Sequence, residues 1–251
     1  MKIIAVTQAR TGSSRLPGKV LLKIGNETLL GLHIKRILES KLISELILAT
    51  TTNKEDISIV EIGNQFKIES YCGAVDDVLD RFYKAVKEKS PDYVVRLTSD
   101  CPLIDAELID KIISYTIKRG LDYCSNTLDP TYPDGQDVEV FRFNALEKAW
   151  REATLTSERE HVTPYIWKNS SYKGGSLFKS DNFTEGKSFG HLRMTVDESF
   201  DFELIKKIVD DRGTDCTWLE YAEHLEANKS IKAINENIMR NEGYSKSTKT
   251  D

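Results

Sequence analysis

The stretch Gln8 to Val20, QARTGSSRLPGKV, places Arg10, Arg15 and Lys19 together with Gly12, Ser13, Ser14 and Gly18 directly after the apolar run Lys2 to Thr7 (KIIAVT). That β-branched run predicts a buried strand, as do Glu45 to Thr50 (ELILAT) and Tyr93 to Leu97 (YVVRL). Between these strands, Leu29 to Ser40, Glu55 to Phe66 and Asp76 to Lys87 carry apolar residues at helical spacing, with Asp76 as the expected N-cap of the third helix. Strand and helix therefore alternate. Parallel neighbours need a crossover helix, so the pattern predicts an α/β chain built on a mainly parallel, doubly wound sheet with helices on both faces. Such sheets bind ligands beyond the carboxyl ends of their strands, which is where this cationic loop falls.

Farther along, helices are expected over Ala106 to Lys118, Asn144 to Glu152, Ser199 to Asp211 (capped by Ser199) and within Trp218 to Asn241. Strands are expected over Asp137 to Phe141 and Leu192 to Val196. The 251 residues are consistent with one domain over 1–242, whose helical C-terminal part runs from about 199 to 242, followed by a flexible tail at 243–251. Apolar residues make up 39% and charged residues 30%, the balance of a folded globular chain. A net charge of −5 argues against a nucleic-acid surface, and no apolar run approaches the roughly 20 residues that span a bilayer. A cytoplasmic protein without a membrane partner is the expectation. Cys72, Cys101, Cys124 and Cys216 are too dispersed for a zinc site or a disulfide framework.

In the opening loop, small residues let backbone amides turn toward a ligand, while three cations can neutralise phosphate oxygens. A solvated loop with its cations in water is the alternative. The loop is neither GxxxxGK[ST] nor GxGxxG, which disfavours a P-loop ATPase and a dinucleotide fold. Asp100, just past a predicted strand in RLTSDCPLID, and Asp197, in LRMTVDESFD, are of the type that holds Mg²⁺ beside phosphate oxygens. Each, taken singly, also reads as a helix cap or turn former.

The segment Gln8 to Lys19 closely resembles the opening of bacterial cytidylyltransferases of the spore-coat-polysaccharide type, relatives of the 3-deoxy-manno-octulosonate and acylneuraminate cytidylyltransferases. The likeness continues through Asp77 to Arg81 (DVLDR), Arg96 to Asp105, Tyr132 to Phe141 (YPDGQDVEVF), Ser157 to Tyr165 (SEREHVTPY) and Arg193 to Asp201. It implies a nucleotidyltransferase fold of the glycosyltransferase-A type and Mg²⁺-dependent transfer of CMP from CTP to an acceptor, releasing pyrophosphate. The implied catalytic residues are Arg10, Arg15, Lys19 and Asp100, with Asp100 and Asp197 on the metal. Gln8, Ala9, Arg10, Gly12, Ser13, Arg15, Lys19, Thr98 and Asp100 would contact the nucleotide. The octulosonate enzymes carry Gln-Gly-Asp-Glu-Pro where this chain has Thr98-Ser99-Asp100-Cys101-Pro102, a departure at the position expected to face cytosine.

The matching segments of relatives face the sugar, so the resemblance assigns Gln136, Asp137, Glu139, Arg159 and His161 to an acceptor such as a sugar acid or a phosphorylated polyol. Asp137 and Glu139, two apart, would share one face of a strand. Glu139 could instead form an ion pair, His161 be a satisfied structural histidine, and Arg159 pair with Glu158 or Glu160. A homodimer is expected by analogy. Two rivals remain: a glycosyltransferase of the same architecture using a nucleotide-sugar donor, against which Ser99-Asp100-Cys101 lacks an Asp-x-Asp motif, and a non-catalytic nucleotide-binding module.

Overall fold

The computed structural model describes residues 1–240 with Tyr244, Ser247, Thr248 and Asp251. Its first half runs β1 (Ile3–Gln8), the small hairpin β2 (Lys23–Ile24) and β3 (Glu27–Thr28), α1 (Leu29–Ile37), β4 (Glu45–Thr51), α2 (Ile57–Gln65), β5 (Glu69–Gly73), α3 (Val78–Val86) and β6 (Tyr93–Thr98). The second half runs α4 (Ala106–Arg119), β7 (Tyr123–Ser125), β8 (Glu139–Arg142), α5 (Phe143–Glu152), α6 (Thr156–His161), α7 (Pro164–Lys168), β9 (Ser180–Asn182), α8 (Ser199–Arg212), α9 (Trp218–Ala227) and α10 (Lys229–Lys232). Seven strands make one sheet in the order β5-β4-β1-β6-β8-β7-β9. The first four are mutually parallel; β8 lies antiparallel to both β6 and β7.

Alternation along β1 sorts its side chains between two cores. Ile3 and Ala5 pack with Leu30 and Ile34 of α1, Ile59 of α2 and Ile109 of α4, while Ile4 and Val6 pack with Phe82 of α3 and Leu146 of α5. Each isoleucine so buried contributes roughly 1.5–3 kcal/mol. Helices therefore cover both faces. A third core joins α8, α9 and α10 to Leu29, Leu32, Leu103 and Met194, which brings the C-terminal helices beside the carboxyl edge of the sheet.

Local chemistry moves several expected boundaries. Asp77, not Asp76, caps α3, because its carboxylate accepts the Asp80 amide at 2.9 Å. Glu198, not Ser199, is the cap residue of α8; its amide donates to Asp201 at 3.0 Å. The strand expected over Leu192 to Val196 is instead an extended segment with a single bridge, Asp134 to Arg193. It cannot form a ladder because it changes partners: the Met194 amide donates to the Asp134 carbonyl, whereas the Val196 amide donates to Asp100. Gly135 makes that close approach possible, since a β-carbon there would lie 2.6 Å from the Met194 backbone. Strand β8 begins at Glu139, leaving Asp137 outside the ladder. Residues 241 and 242 of the expected helical part, and 243, 245–246 and 249–250 of the expected tail, lie outside the described residues. Among the described residues, no helix is long and apolar enough to cross a membrane.

His33 ties α1 to the site. Its Nδ1 donates to the Cys101 carbonyl at 2.8 Å, and its Nε2 lies 2.8 Å from the Thr7 hydroxyl, so the neutral ring accepts there. Burial pushes its pKa down to about 4. The unfolded chain takes up this proton near 6.5, so the stability linked to His33 is complete above that pH and is lost as the pH falls toward 4. The expected loss is about 3 kcal/mol. Urea unfolding from pH 7 to 4 should show a flatter decline for His33→Gln than for the parent protein; equal slopes would contradict this.

Candidate active site

A cleft of about 570 Å³ opens at the carboxyl ends of β1 and β6 and is lined by Gln8, Arg10, Arg15, Lys19, Asp100 and Asp197 among others. The opening loop enters it through a tight fold. Gly18 takes a left-handed conformation (φ 68°) and donates its amide to the Thr11 carbonyl at 2.9 Å; the Ser13 amide donates to the same oxygen. Few residues other than glycine adopt that φ without cost. The turn aims Lys19 inward.

Lys19 joins the two candidate metal carboxylates. Its Nζ lies 3.1 Å from Asp100 Oδ2, 2.9 Å from Asp197 Oδ1 and 2.8 Å from the Val196 carbonyl. Burial disfavours its charge, but Asp100 and Asp197 outweigh this and raise its pKa. Burial likewise opposes the charge on Asp100, yet Lys19 and the Thr98 hydroxyl hold that carboxyl well below its usual range. Arg15 contacts the other oxygen of Asp197 at 3.0 Å. Asp100, Asp197 and the Val196 carbonyl gather hard oxygens around one point, a donor set that fits Mg²⁺, whose remaining positions usually go to phosphate oxygens and water. No group of three or more His, Cys, Asp or Glu suited to a metal occurs among the described residues, so the substrate would have to complete the shell.

Beneath Asp197 lies a buried ion-pair network. Arg193 donates to Asp201 at 2.8 and 2.9 Å, to Asp134 at 2.7 Å and to Asp197 at 3.2 Å. Asp201, fully buried, also accepts the Asp197 amide at 2.9 Å, which fixes the backbone from which that carboxylate projects.

The acceptor candidates divide. Asp137, Glu139 and His161 line the cleft; Gln136 and Arg159 do not. Gln136 is fully buried, accepting from the Asp105 amide at 3.0 Å and donating to the Leu103 carbonyl at 2.7 Å, so its amide is spent on holding two loops together. Arg159 forks onto Asp77 and donates to the Trp150 carbonyl, binding α6 to the start of α3; neither Glu158 nor Glu160 is its partner in these contacts. Glu139 lines the wall with its oxygens already engaged by Arg96, Tyr123 and Thr163. Asp137 pairs with Arg240 at 2.7 Å, while burial and the charges of Asp134, Asp100 and Glu139 push its carboxyl upward. His161 lies 3.0 Å from the Ser247 hydroxyl and edge-on to Tyr244, and burial, reinforced by Arg96, favours its neutral form.

Of the nucleotide candidates, Gln8, Ala9, Arg10, Ser13, Arg15, Lys19, Thr98 and Asp100 reach the cleft; Gly12 belongs to the loop but not to the wall. Arg81, absent from the expected set, reaches it from α3. It is 2% exposed, its Nε has no hydrogen-bond partner among the described residues, and burial pushes its pKa down to about 10. Gln8 Oε1 is likewise buried without a partner among the described residues. The signal for Arg81 was its place in DVLDR, and that for Arg193 its place in LRMTVD.

A family model described as cytidylyltransferase matches residues 4–239. An uncharacterized protein of Methanocaldococcus jannaschii is 41% identical over 95% of this chain and 96% of its own. The spore coat polysaccharide biosynthesis protein SpsF of Bacillus subtilis is 34% identical over 84% of this chain and 88% of its own. The solved structure of a cytidylyltransferase from Leptospira borgpetersenii superposes with a TM-score of 0.87 at 30% identity, covering 96% of this chain and 99% of that one.

Proposed function

The chain belongs to the cytidylyltransferase family and is a nucleotidyltransferase; from that premise we propose that it transfers CMP from CTP to a sugar acid or a related surface-glycan precursor, with Mg²⁺ as cofactor. The acceptor oxygen bonds to the α-phosphorus as the bond to the bridging oxygen breaks, and pyrophosphate leaves. One observation carries this reading: Lys19, Arg15, Asp100 and Asp197, far apart in sequence, meet within salt-bridge distance in one cleft.

Arg10, Arg15 and Lys19 neutralise the β- and γ-phosphates and the charge that develops on the departing pyrophosphate. Asp100 and Asp197 would hold Mg²⁺, which when bound would supply positive charge to the phosphate oxygens. The unpartnered Gln8 Oε1 and Arg81 Nε offer an acceptor and a donor, the pairing that the amino group and ring acceptors of cytosine call for. His161, kept neutral, is a candidate to take the proton of the acceptor hydroxyl. The polysaccharide-related name of the B. subtilis relative supports a glycan precursor, and the similarity to 3-deoxy-manno-octulosonate cytidylyltransferases supports a sugar acid. Use of CTP makes the cytoplasm the proposed compartment.

Pyrophosphate release, assayed with each of the four nucleoside triphosphates against a panel of sugar acids and polyol phosphates, tests the assignment. The expected result is release from CTP alone and only with an acceptor present. Sugar transfer from a nucleotide-sugar, or CTP binding with no turnover on any acceptor, would overturn it.

A further inference from the structure

Asp56 stands outside the cleft wall, at the residue preceding α2, and is 2% exposed. A carboxylate at a helix start ordinarily accepts from that helix's own first amides. Asp56 makes no such bond. Its Oδ1 accepts from both the amide and the hydroxyl of Thr11, each at 2.7 Å, and its Oδ2 accepts from the hydroxyl of Thr51 at the end of β4. Burial opposes the charge on this carboxyl, but the Thr51 and Thr11 donors, with Arg10 nearby, hold it below its usual range.

Thr11 is the residue on which the opening loop closes. Its carbonyl receives the amides of both Ser13 and Gly18, so the two arms of the loop meet there, with Arg10 just before it and Arg15 and Lys19 within or just beyond the turn. Thr51 belongs to β4, which pairs with β1 in parallel register. One carboxylate thus fastens the loop to the strand beside the one from which it springs.

We propose that Asp56 is a positioning residue for the triphosphate, acting through Thr11 to hold the cationic loop in its ligand-binding shape. This rests on the reading of the cleft as a CTP site. The loop cations would serve the β- and γ-phosphates, so loosening the loop should weaken CTP and pyrophosphate while sparing CMP, which lacks both groups. A role confined to overall folding would not separate these ligands.

Calorimetric titration of CTP, pyrophosphate and CMP into the full chain, with a thermal melt of each variant, tests this. Asp56→Ala should weaken CTP and pyrophosphate at least about tenfold, in line with the loss of charge-assisted hydrogen bonds, and leave CMP within about twofold. Thr11→Val removes only the hydroxyl bond and should show the same selectivity at about threefold, should Asp56→Ala not fold. The double variant should bind no worse than Asp56→Ala. Equal losses for all three ligands, or undiminished pyrophosphate binding in both single variants, overturns the proposal. Failure of the unaltered protein to bind CTP overturns the underlying reading, and this one with it.

Discussion

Asp100→Asn should lower kcat for pyrophosphate release from CTP by roughly a thousandfold, the scale seen when one preorganised electrostatic group is removed from a transition state. The substitution is nearly isosteric. The Asp100 backbone carbonyl, which accepts from the Val196 amide and the Thr195 hydroxyl, is untouched, so the turn after β6 should persist. Asparagine still offers Lys19 an oxygen, but it removes one of the two negative charges that the ammonium bridges. Lys19 and Arg15 remain to bind the triphosphate, and KM for CTP should therefore move far less than kcat. That split marks an interaction made mainly in the transition state. Steady-state kinetics at saturating acceptor, with circular dichroism to confirm the fold, measures it. Full turnover in Asp100→Asn would remove the metal assignment.

The largest expected loss of stability belongs to Arg193→Met. Arg193 is 8% exposed and is shared by Asp201, Asp134 and Asp197, two of which are themselves buried. Removing the cation leaves Asp201 without a cationic partner and Asp134 with only Arg240 at 3.8 Å, both carboxylates being buried away from water, and breaking a buried pair in this way typically costs 3–5 kcal/mol. For a chain of this length that corresponds to a fall in Tm of roughly 10 °C. The cost should depend on pH. In the parent protein Arg193 helps keep the Asp201 carboxyl below its usual range, although burial opposes this, so its contribution is present at neutral pH and fades only in acid. In Arg193→Met the stranded carboxyls titrate higher in the folded chain than in the unfolded one, so lowering the pH relieves the variant. Thermal melts of both proteins should converge between pH 7 and 5; a constant gap would mean that Arg193 acts through packing alone.

Four strands and most helices could be read because their apolar residues are continuous, alternate, or recur at helical spacing, as in Ile3 to Val6, Val138 to Phe141 and Leu29 to Ile37. Strand β5 (ESYCG) carries little apolar signal because it sits at the sheet's edge, and β7 and β9 are only three residues long. The opening loop, Asp100 and Asp197 stand out in the sequence because each follows a recognisable run and carries chemistry that its neighbours lack, and the fold brings them to one cleft. Gln136 and Arg159, which the resemblance placed on the acceptor, do not line the cleft, because a shared motif says what a side chain can bond, not which way it faces. One bonds two loops and the other a helix start. Arg81 and Arg193 were overlooked for the converse reason: in a chain with 30% charged residues, an arginine held inside resembles one held in water.

The bridge from Lys19 to Asp197 spans 178 positions. During synthesis, the loop and its supporting strands leave the ribosome long before the second carboxylate. A nascent chain halted before residue 197 carries Lys19 and Asp100 but lacks the carboxylate that completes their cluster. The cluster can therefore close only after residue 197 has been made, when the segment preceding α8 threads back between Asp134 and Asp100.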